Sequence, residues 1–399
     1  MIHDIMPGTQ KQFEKEITAA YIGFDPTADS LHIGNLVQIM ILVHLQKHGH
    51  KPIALVGGAT GMVGDPSGKS QERNLLNEKT LNHNLIAVQK QLEKFLDFDC
   101  GDNSAEVVNN YDWFKKFSFL NFIRDIGKHM SINYMMAKDS VKSRLEVGMS
   151  FTEFSYQLVQ AYDFYWLWKN KNCKVQLGGS DQWGNIVSGT ELIRRKDGGK
   201  AFALTTPLIK KADGGKFGKT ETGNIWLDKT KTSPYKFYQF WLNSSDQDSK
   251  NYIKIFSLKN QVEINELIEN HDQAPHLRLL QKALAEEVTT RIHSKEDLRM
   301  AIKASNILFG KATNEDLKSL DENTFLTVFE GVPKSEITKT NLTEPILEFI
   351  SNHTKIFTSK SEVRRMIQSN AISINKEKIT ENFKLSENNL INDKYILIQ

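Results

Sequence analysis

Apolar residues in this chain gather into short runs that end on glycine. Residues 17–24 (ITAAYIGF) and 52–58 (PIALVGG) each read as a buried strand opening into a loop. Between them Leu36, Ile39, Met40 and Val43 recur at helical spacing. A second helical face runs over 83–98, carried by Leu85, Val88, Leu92, Phe95 and Leu96. After a further helical stretch around 152–169 comes a third strand-like run, 173–179 (CKVQLGG). Strand alternating with helix predicts an α/β fold with a parallel sheet. Such sheets bind ligands at the carboxyl ends of their strands, so chemistry is expected in the glycine-bearing loops.

From about 230 to 320 the pattern is helical with polar outer faces, and 310–341 reads as irregular, interrupted by Pro333. The tail, 342–399, reads as a small α+β module. Ser359 and Glu362 have capping-box spacing, and Val363, Met366 and Ile367 give one apolar helix face. Ile372 and Ile374 alternate with Ser373 and Asn375 as in a half-buried strand, and Tyr395–Ile398 gives another. No internal repeat or long low-complexity tract is visible.

Composition narrows the class. A chain of 399 residues, 39% hydrophobic and 25% charged, has the make-up of two or three globular domains. A net charge of +3 excludes a uniformly basic nucleic-acid binder, so any basic surface is local. Two cysteines, Cys100 and Cys173, argue against a disulfide scaffold, and no Cys/His cluster has zinc-ligand spacing. The opening MIHDIMPGTQ has no apolar signal core, and no run of about 18 apolar residues follows. A soluble, cytoplasmic protein with no membrane partner and no protein-bound metal is expected.

Four segments carry candidate chemistry. In DPTADSLHIGN (25–35) Pro26 ends the strand, Ser30 is a candidate helix cap, and Gly34 lets backbone approach a ligand. His32 and Asn35 share a face of the helical first turn, where both can donate to phosphate oxygens beside the helix N–H groups. LVGGATGMVGDPSGKSQER (55–73) is glycine-rich and carries Asp65, Lys69 and Arg73. Tyr156, Gln160 and Asp163 are spaced i, i+4, i+7 on one helix face, and QLGGSDQWGN (176–185) offers Asp181 and Gln182. ADGGKFGKTETGN (212–224) sets Lys216 and Lys219 among glycines. Each alone is an ordinary turn, solvated stripe or surface hairpin. Neither G-x-x-x-x-G-K-[ST] nor G-x-G-x-x-G is present, which argues against a phosphate-loop hydrolase or a dinucleotide enzyme.

Taken in order, the segments resemble a known family. HIGN resembles the HIGH motif, and KFGKT the KMSKS motif, of class I aminoacyl-tRNA synthetases. YIGFDPTADSLHIGN and GDPSG are similar to the tyrosyl branch in its bacterial members. The resemblance implies a Rossmann-like catalytic domain over 1–220, a helical domain over 221–320, a linker over 321–341 and an RNA-binding tail over 342–399. It implies activation of L-tyrosine by ATP, brought in with Mg²⁺ and without a prosthetic group, followed by transfer to tyrosine tRNA. It places Tyr21, Asp65, Tyr156, Gln160, Asp163 and Gln182 around tyrosine, with Asp163 and Tyr21 on the phenol hydroxyl. It places Asp25, His32, Gly34, Asn35, Asp181 and Lys219 around ATP, and gives catalysis to Thr27, His32, Asn35, Lys216, Lys219 and Thr220.

SKSEVRRMIQSNAISIN in the tail is similar to a small RNA-binding domain shared with a small-subunit ribosomal protein. Lys360, Arg364 and Arg365 are its expected phosphate contacts. A homodimer is implied, with its interface near 120–155. Asn35 replaces the second histidine of HIGH, and Ile22 stands where a cysteine is frequent. Members usually carry a further helical segment before the equivalent of Met1, so N-terminal packing is expected to differ. The rival readings are a tryptophanyl synthetase, a small-molecule adenylyltransferase and an RNA-binding scaffold without catalysis.

Overall fold

A strand covered on both faces is apolar along its whole length rather than at alternate residues. Ala19–Phe24 (β2) is of this kind, with every residue buried except Gly23. In the computed structural model it pairs in parallel with Lys51–Val56 (β3) on one side and Cys173–Gly179 (β5) on the other. Glu106–Asn109 (β4) continues the sheet beyond β3, and Phe202–Thr206 (β6) beyond β5. Asp4–Ile5 (β1) borders β6 antiparallel. The strand order is β1-β6-β5-β2-β3-β4. The chain therefore runs outward from β2 to β4, then returns to the other flank of β2. Strand order reverses between β2 and β5, and this topology opens a crevice at their carboxyl ends.

The structure describes residues 2–67, 76–139, 141–142, 148–220, 223–309, 313–330, 332–354, 356–357 and 359–399. They divide into two compact units, Met1–Asp228 and Lys229–Gln399.

In the first unit, Ile33–Lys47 (α1) buries Ile33, Leu36, Ile39, Met40 and Leu42 against the sheet. Glu78–Leu92 (α2) starts and ends earlier than the pattern over 83–98 predicts. Asn77 caps it by accepting from Thr80 N–H at 2.9 Å, and Phe95 and Leu96 fall in the turn beyond its end. Phe151–Lys171 (α3) is capped by Ser150, which accepts from Glu153 N–H at 3.2 Å, and it packs along Trp183–Asp197 (α4). Fully buried Phe164 of α3 lies against Tyr21 of β2, ring centroids 5.4 Å apart. Burying such a ring contributes about 1.5–3 kcal/mol.

The second unit holds helices Pro234–Leu242, Asp246–Phe256, Gln261–Gln273, Leu279–Ile292 and Lys295–Phe309. Two short helices, Asn314–Lys318 and Glu322–Val328, occupy part of the stretch read as irregular, because Leu317, Phe325 and Val328 have a core to enter. Around Pro333 the chain is without regular structure. In the tail, Ser359 caps Lys360–Gln368, and Val363 and Ile367 enter a small core with Phe349, Ile350 and Ile374. Residues 373–375 pair with 397–399, through Asn375 N–H to Leu397 C=O and Ser373 N–H to Gln399 C=O, both 2.8 Å. The expected alternation fails here, since Ser373 and Asn375 are buried as well. Asn375 has no need of solvent: it donates to Asn389 C=O at 2.6 Å and accepts from Leu397 N–H at 2.9 Å. Among the described residues no helix is long and apolar enough to cross a membrane.

Candidate active site

The crevice between β2 and β5 holds a cavity of about 640 Å³, within the usual range for a small-molecule site. Its floor is a buried hydrogen-bond chain. Asp163 on α3 accepts from Trp113 Nε1 at 2.9 Å and from Asn110 Nδ2 at 3.1 Å. Asn110 also donates to Thr60 Oγ1 at 3.0 Å, and Thr60 donates to Asp25 at 2.6 Å. Tyr156 donates to the other oxygen of Asp25 at 2.9 Å. Gly57 must be glycine here, since a Cβ would fall 2.1 Å from Asp25 and 2.3 Å from Thr60.

Burial sets the protonation of this floor. It pushes the Asp163 carboxyl up to about 8, against the downward pull of Asn110 and Trp113. It holds the phenols of Tyr21 and Tyr156 well above their ordinary range, with nearby carboxylates acting the same way. Above the floor, Tyr21 Oη, Gln38 Oε1, Gln160 Oε1 and Gln176 Oε1 line the cavity, are buried, and have no hydrogen-bond partner. Unpaired buried polar atoms each cost about 1–3 kcal/mol. Four around one cavity mark a site built for a polar ligand.

One wall comes from Asp65, which accepts from Gln182 Nε2 at 2.8 Å and Ser67 N–H at 2.9 Å. Asn185 braces that wall through Ser67 Oγ at 3.1 Å. Neighbouring Asp181 has its carboxyl raised by burial and then by Asp65.

The opposite wall is the start of α1. His32, not Ser30, is its cap. Ser30 is buried and accepts from Gln91 at 3.0 Å, so the helix begins later than expected. His32 Nδ1 accepts from Gly34 N–H at 3.0 Å, and Asn35 Oδ1 accepts from His32 N–H at 3.1 Å. Both acceptor atoms are thereby engaged. The ring proton falls to Nε2 and the carboxamide N–H groups remain as donors beside the positive end of the helix.

The lysine segment meets this wall. Leu227 N–H donates to Leu31 C=O at 2.8 Å, and Ile33 N–H to Ile225 C=O at 3.0 Å. At Gly218, φ is +80° and a Cβ would lie 2.8 Å from Ile33 Cγ1. The two motifs thus share one cleft.

The cavity brings together Tyr21, Asp65, Tyr156, Gln160, Asp163 and Gln182 from the tyrosine set. It also gathers Asp25, Thr27, His32, Gly34, Asn35, Asp181 and Lys219. Tyr156 and Asp163 are buried, which rules out a solvated stripe. Lys216 does not line the cavity; it is exposed, and its backbone bridges to Lys210. The Thr220 side chain, Lys69 and Arg73 lie outside the described residues. In the second unit Lys360 pairs with Glu348 at 2.8 Å and Arg364 with Glu381 at 2.9 Å, while Arg365 is exposed. Sequence reasoning missed Asn110, Trp113, Thr60, Gln38 and Gln176. A short polar segment closing a strand, as at Asn110, was the one local signal.

Among the described residues no group of three His, Cys, Asp or Glu side chains is arranged to hold a metal ion. Large apolar side chains are exposed at Phe119 (66%), Leu120 (75%), Ile132 (60%) and Phe151 (66%).

Comparison with known proteins agrees in direction. The profile of tRNA synthetases class I (W and Y) matches residues 14–310, and that of the tyrosine–tRNA ligase SYY-like C-terminal domain matches 324–399. The tyrosine–tRNA ligase of Flavobacterium johnsoniae is 60% identical, over 100% of this chain and 94% of the relative. That of Bacteroides thetaiotaomicron is also 60% identical, over 100% and 95%. A C-terminally truncated mitochondrial tyrosyl-tRNA synthetase from Aspergillus nidulans superposes with a TM-score of 0.69 at 32% identity, over 77% of this chain and 91% of that one. The Archaeoglobus fulgidus tyrosyl-tRNA synthetase, solved with L-tyrosine, shares the fold at a TM-score of 0.55 and 16% identity, over 75% and 96%.

Proposed function

The chain belongs to the class I tRNA synthetases of the tryptophan and tyrosine group, and from that premise we propose how its cleft works. Its activity is that of a tyrosine–tRNA ligase. Relatives with that activity match it over its whole length at about 60% identity, and the tail matches the tyrosine-specific domain, which sets the tryptophan alternative aside.

Tyrosine enters with its phenol toward Tyr21 and Asp163 and its ammonium group toward Asp65, Tyr156 and Gln160. ATP, carried with Mg²⁺ held by its phosphates and water, lies across Gly34 and Asp181. The substrate carboxylate, near Gln182, attacks the α-phosphate in line, and pyrophosphate leaves. The terminal ribose hydroxyl of the tRNA then attacks the adenylate carbonyl, and AMP leaves. No protein nucleophile is needed. Rate comes from holding reactants in attack geometry and from donors placed on phosphate oxygens. Thr27, His32 and Asn35 act from one side. Lys219 acts from the other, with Lys216 and Thr220 brought in as the glycine-bearing segment closes.

The observation that carries this reading is the shared cleft, with unpaired Tyr21 Oη and Asp163 at one end and His32, Asn35 and Lys219 at the other. Asn35 keeps its role because its oxygen is tied to the His32 backbone and its N–H groups are left to donate.

Lys360, Arg364 and Arg365 steer RNA phosphates to a tail module near 342–399, two of them through ion pairs that an RNA would compete for. The exposed apolar residues between 119 and 151 support a homodimer formed through that surface. The work is cytoplasmic, where tRNA is charged. Amino-acid-dependent exchange of pyrophosphate into ATP tests the whole reading. Tyrosine alone should support it; exchange with tryptophan, or none, overturns it.

A further inference from the structure

An imidazole on an otherwise free side chain turns about two bonds, so a histidine that must present one N–H needs its ring fixed at more than one point. In His32 the first point is Nδ1, held by Gly34 N–H. The second is Trp226. The two residues face each other across an isolated antiparallel bridge. Its hydrogen bonds, Ile33 N–H to Ile225 C=O and Leu227 N–H to Leu31 C=O, flank the pair rather than join it. His32 and Trp226 therefore occupy a non-hydrogen-bonded position, where facing side chains approach most closely. Their rings meet edge to face, centroids 6.0 Å and planes 66° apart, and both line the cavity.

Trp226 also stands at the root of the lysine segment. Ile225 N–H donates to Gly218 C=O at 3.1 Å, and Gly218 rests on Ile33 and Gly34. Contacts thus run without a break from the KFGKT segment through Gly218 and Ile225 to the residues on either side of His32.

We propose that Trp226 is a positioning residue for His32: its indole fixes the plane of the imidazole toward the phosphates and registers the lysine segment against the same ring. The proposal rests on the reading of His32 as a phosphate donor. It adds that the donor's aim is set by a residue far along the chain, from the far side of the lysine segment. A side chain that fills the space of Trp226 without a planar ring should leave the backbone bridge and the Gly34 N–H contact at Nδ1 intact while removing the edge-to-face contact that sets the ring plane.

The test is a double-mutant cycle in the full-length enzyme, read by single-turnover adenylate formation and by pyrophosphate exchange. Trp226→Met should lower kcat roughly ten- to a hundredfold, leave the tyrosine KM unchanged, and be largely rescued in Trp226→Phe. In a His32→Ala background the same substitution should cost less than about twofold. Trp226→Leu serves if Trp226→Met does not fold. Equal losses in both backgrounds overturn the proposal, as does an effect confined to the ATP KM or an unchanged kcat. If His32→Ala alone is fully active, the reading of His32 itself has failed. That outcome is distinguishable, because it needs no Trp226 variant.

Discussion

The indole N–H of Trp113 donates to one carboxyl oxygen of Asp163 at 2.9 Å, and Asn110 donates to the other at 3.1 Å. A carboxyl held from two sides by fixed donors cannot turn, yet it keeps acceptor capacity for another partner. The cavity it lines also contains the Tyr21 hydroxyl, which has no partner of its own. A phenol O–H placed there completes the set, and a bare phenyl ring leaves it incomplete.

Asp163→Ala should therefore erode discrimination between tyrosine and phenylalanine. Leaving a buried hydrogen-bonding group unpaired costs about 1–3 kcal/mol, so the ratio of kcat/KM values should fall about five- to a hundredfold. Exchange assays with each amino acid measure it. An unchanged ratio removes Asp163 from the pocket.

The same carboxyl gives stability a pH dependence. Its folded value, about 8, lies above its ordinary 3.8, so the folded chain holds a proton that the unfolded chain releases. That contribution is complete below the ordinary value and is lost as pH rises through about 8. Between about pH 5.5 and about pH 9, the protein should lose on the order of 3 kcal/mol relative to Asp163→Asn. Urea unfolding at the two values checks the sign; parallel behaviour of both proteins would show that Asp163 does not titrate in this window.

Lys219 lines the same cleft as His32 and Asn35, and its proposed partner is phosphate rather than tyrosine. Lys219→Ala should slow adenylate formation by about 10²–10³ and leave tyrosine affinity nearly unchanged. Stopped-flow and equilibrium titration separate the two. Collapse of tyrosine affinity would give the lysine a different role.

Leu120, 75% exposed beside Phe119, carries the dimer proposal in its barest form. Leu120→Asp should move the protein toward monomer in sedimentation velocity, because a carboxylate would have to be buried at the interface. A variant that sediments like the parent places the interface elsewhere.

What the sequence disclosed followed from local pattern. β2, β3 and β5 are mostly apolar runs closed by glycines or a loop, and each was legible. β4 was not: Glu106–Asn109 is four half-buried residues, with only the polar pair Asn109 and Asn110 to mark its end. With β4 went Asn110, which hangs from its end, and Trp113 just beyond. Lys216 shows a limit of spacing. Its distance from Lys219 suggested equal roles, and spacing does not show that Lys219 lines the cavity while Lys216 bridges to Lys210 outside it. Trp226 had no local signal, since the partner that gives it meaning lies at the other end of the first unit. Asn375 looked like the wet side of a strand because composition does not show which carbonyl a carboxamide will find.

The placement of β5 beside β2 has a consequence for the protein as it is made. Residues 19–24 leave the ribosome long before 173–179, so β2 can pair with β3 while its other flank waits for a partner. Over that interval the growing chain displays AAYIGF as a bare apolar edge, the kind that recruits strands from other molecules. A message broken anywhere before Cys173 yields a polypeptide with half a pocket and an adhesive margin. Pairing of residues 173–179 with β2 removes the hazard and sets the second flank of the pocket, which Asp181, Gln182 and Lys219 then complete.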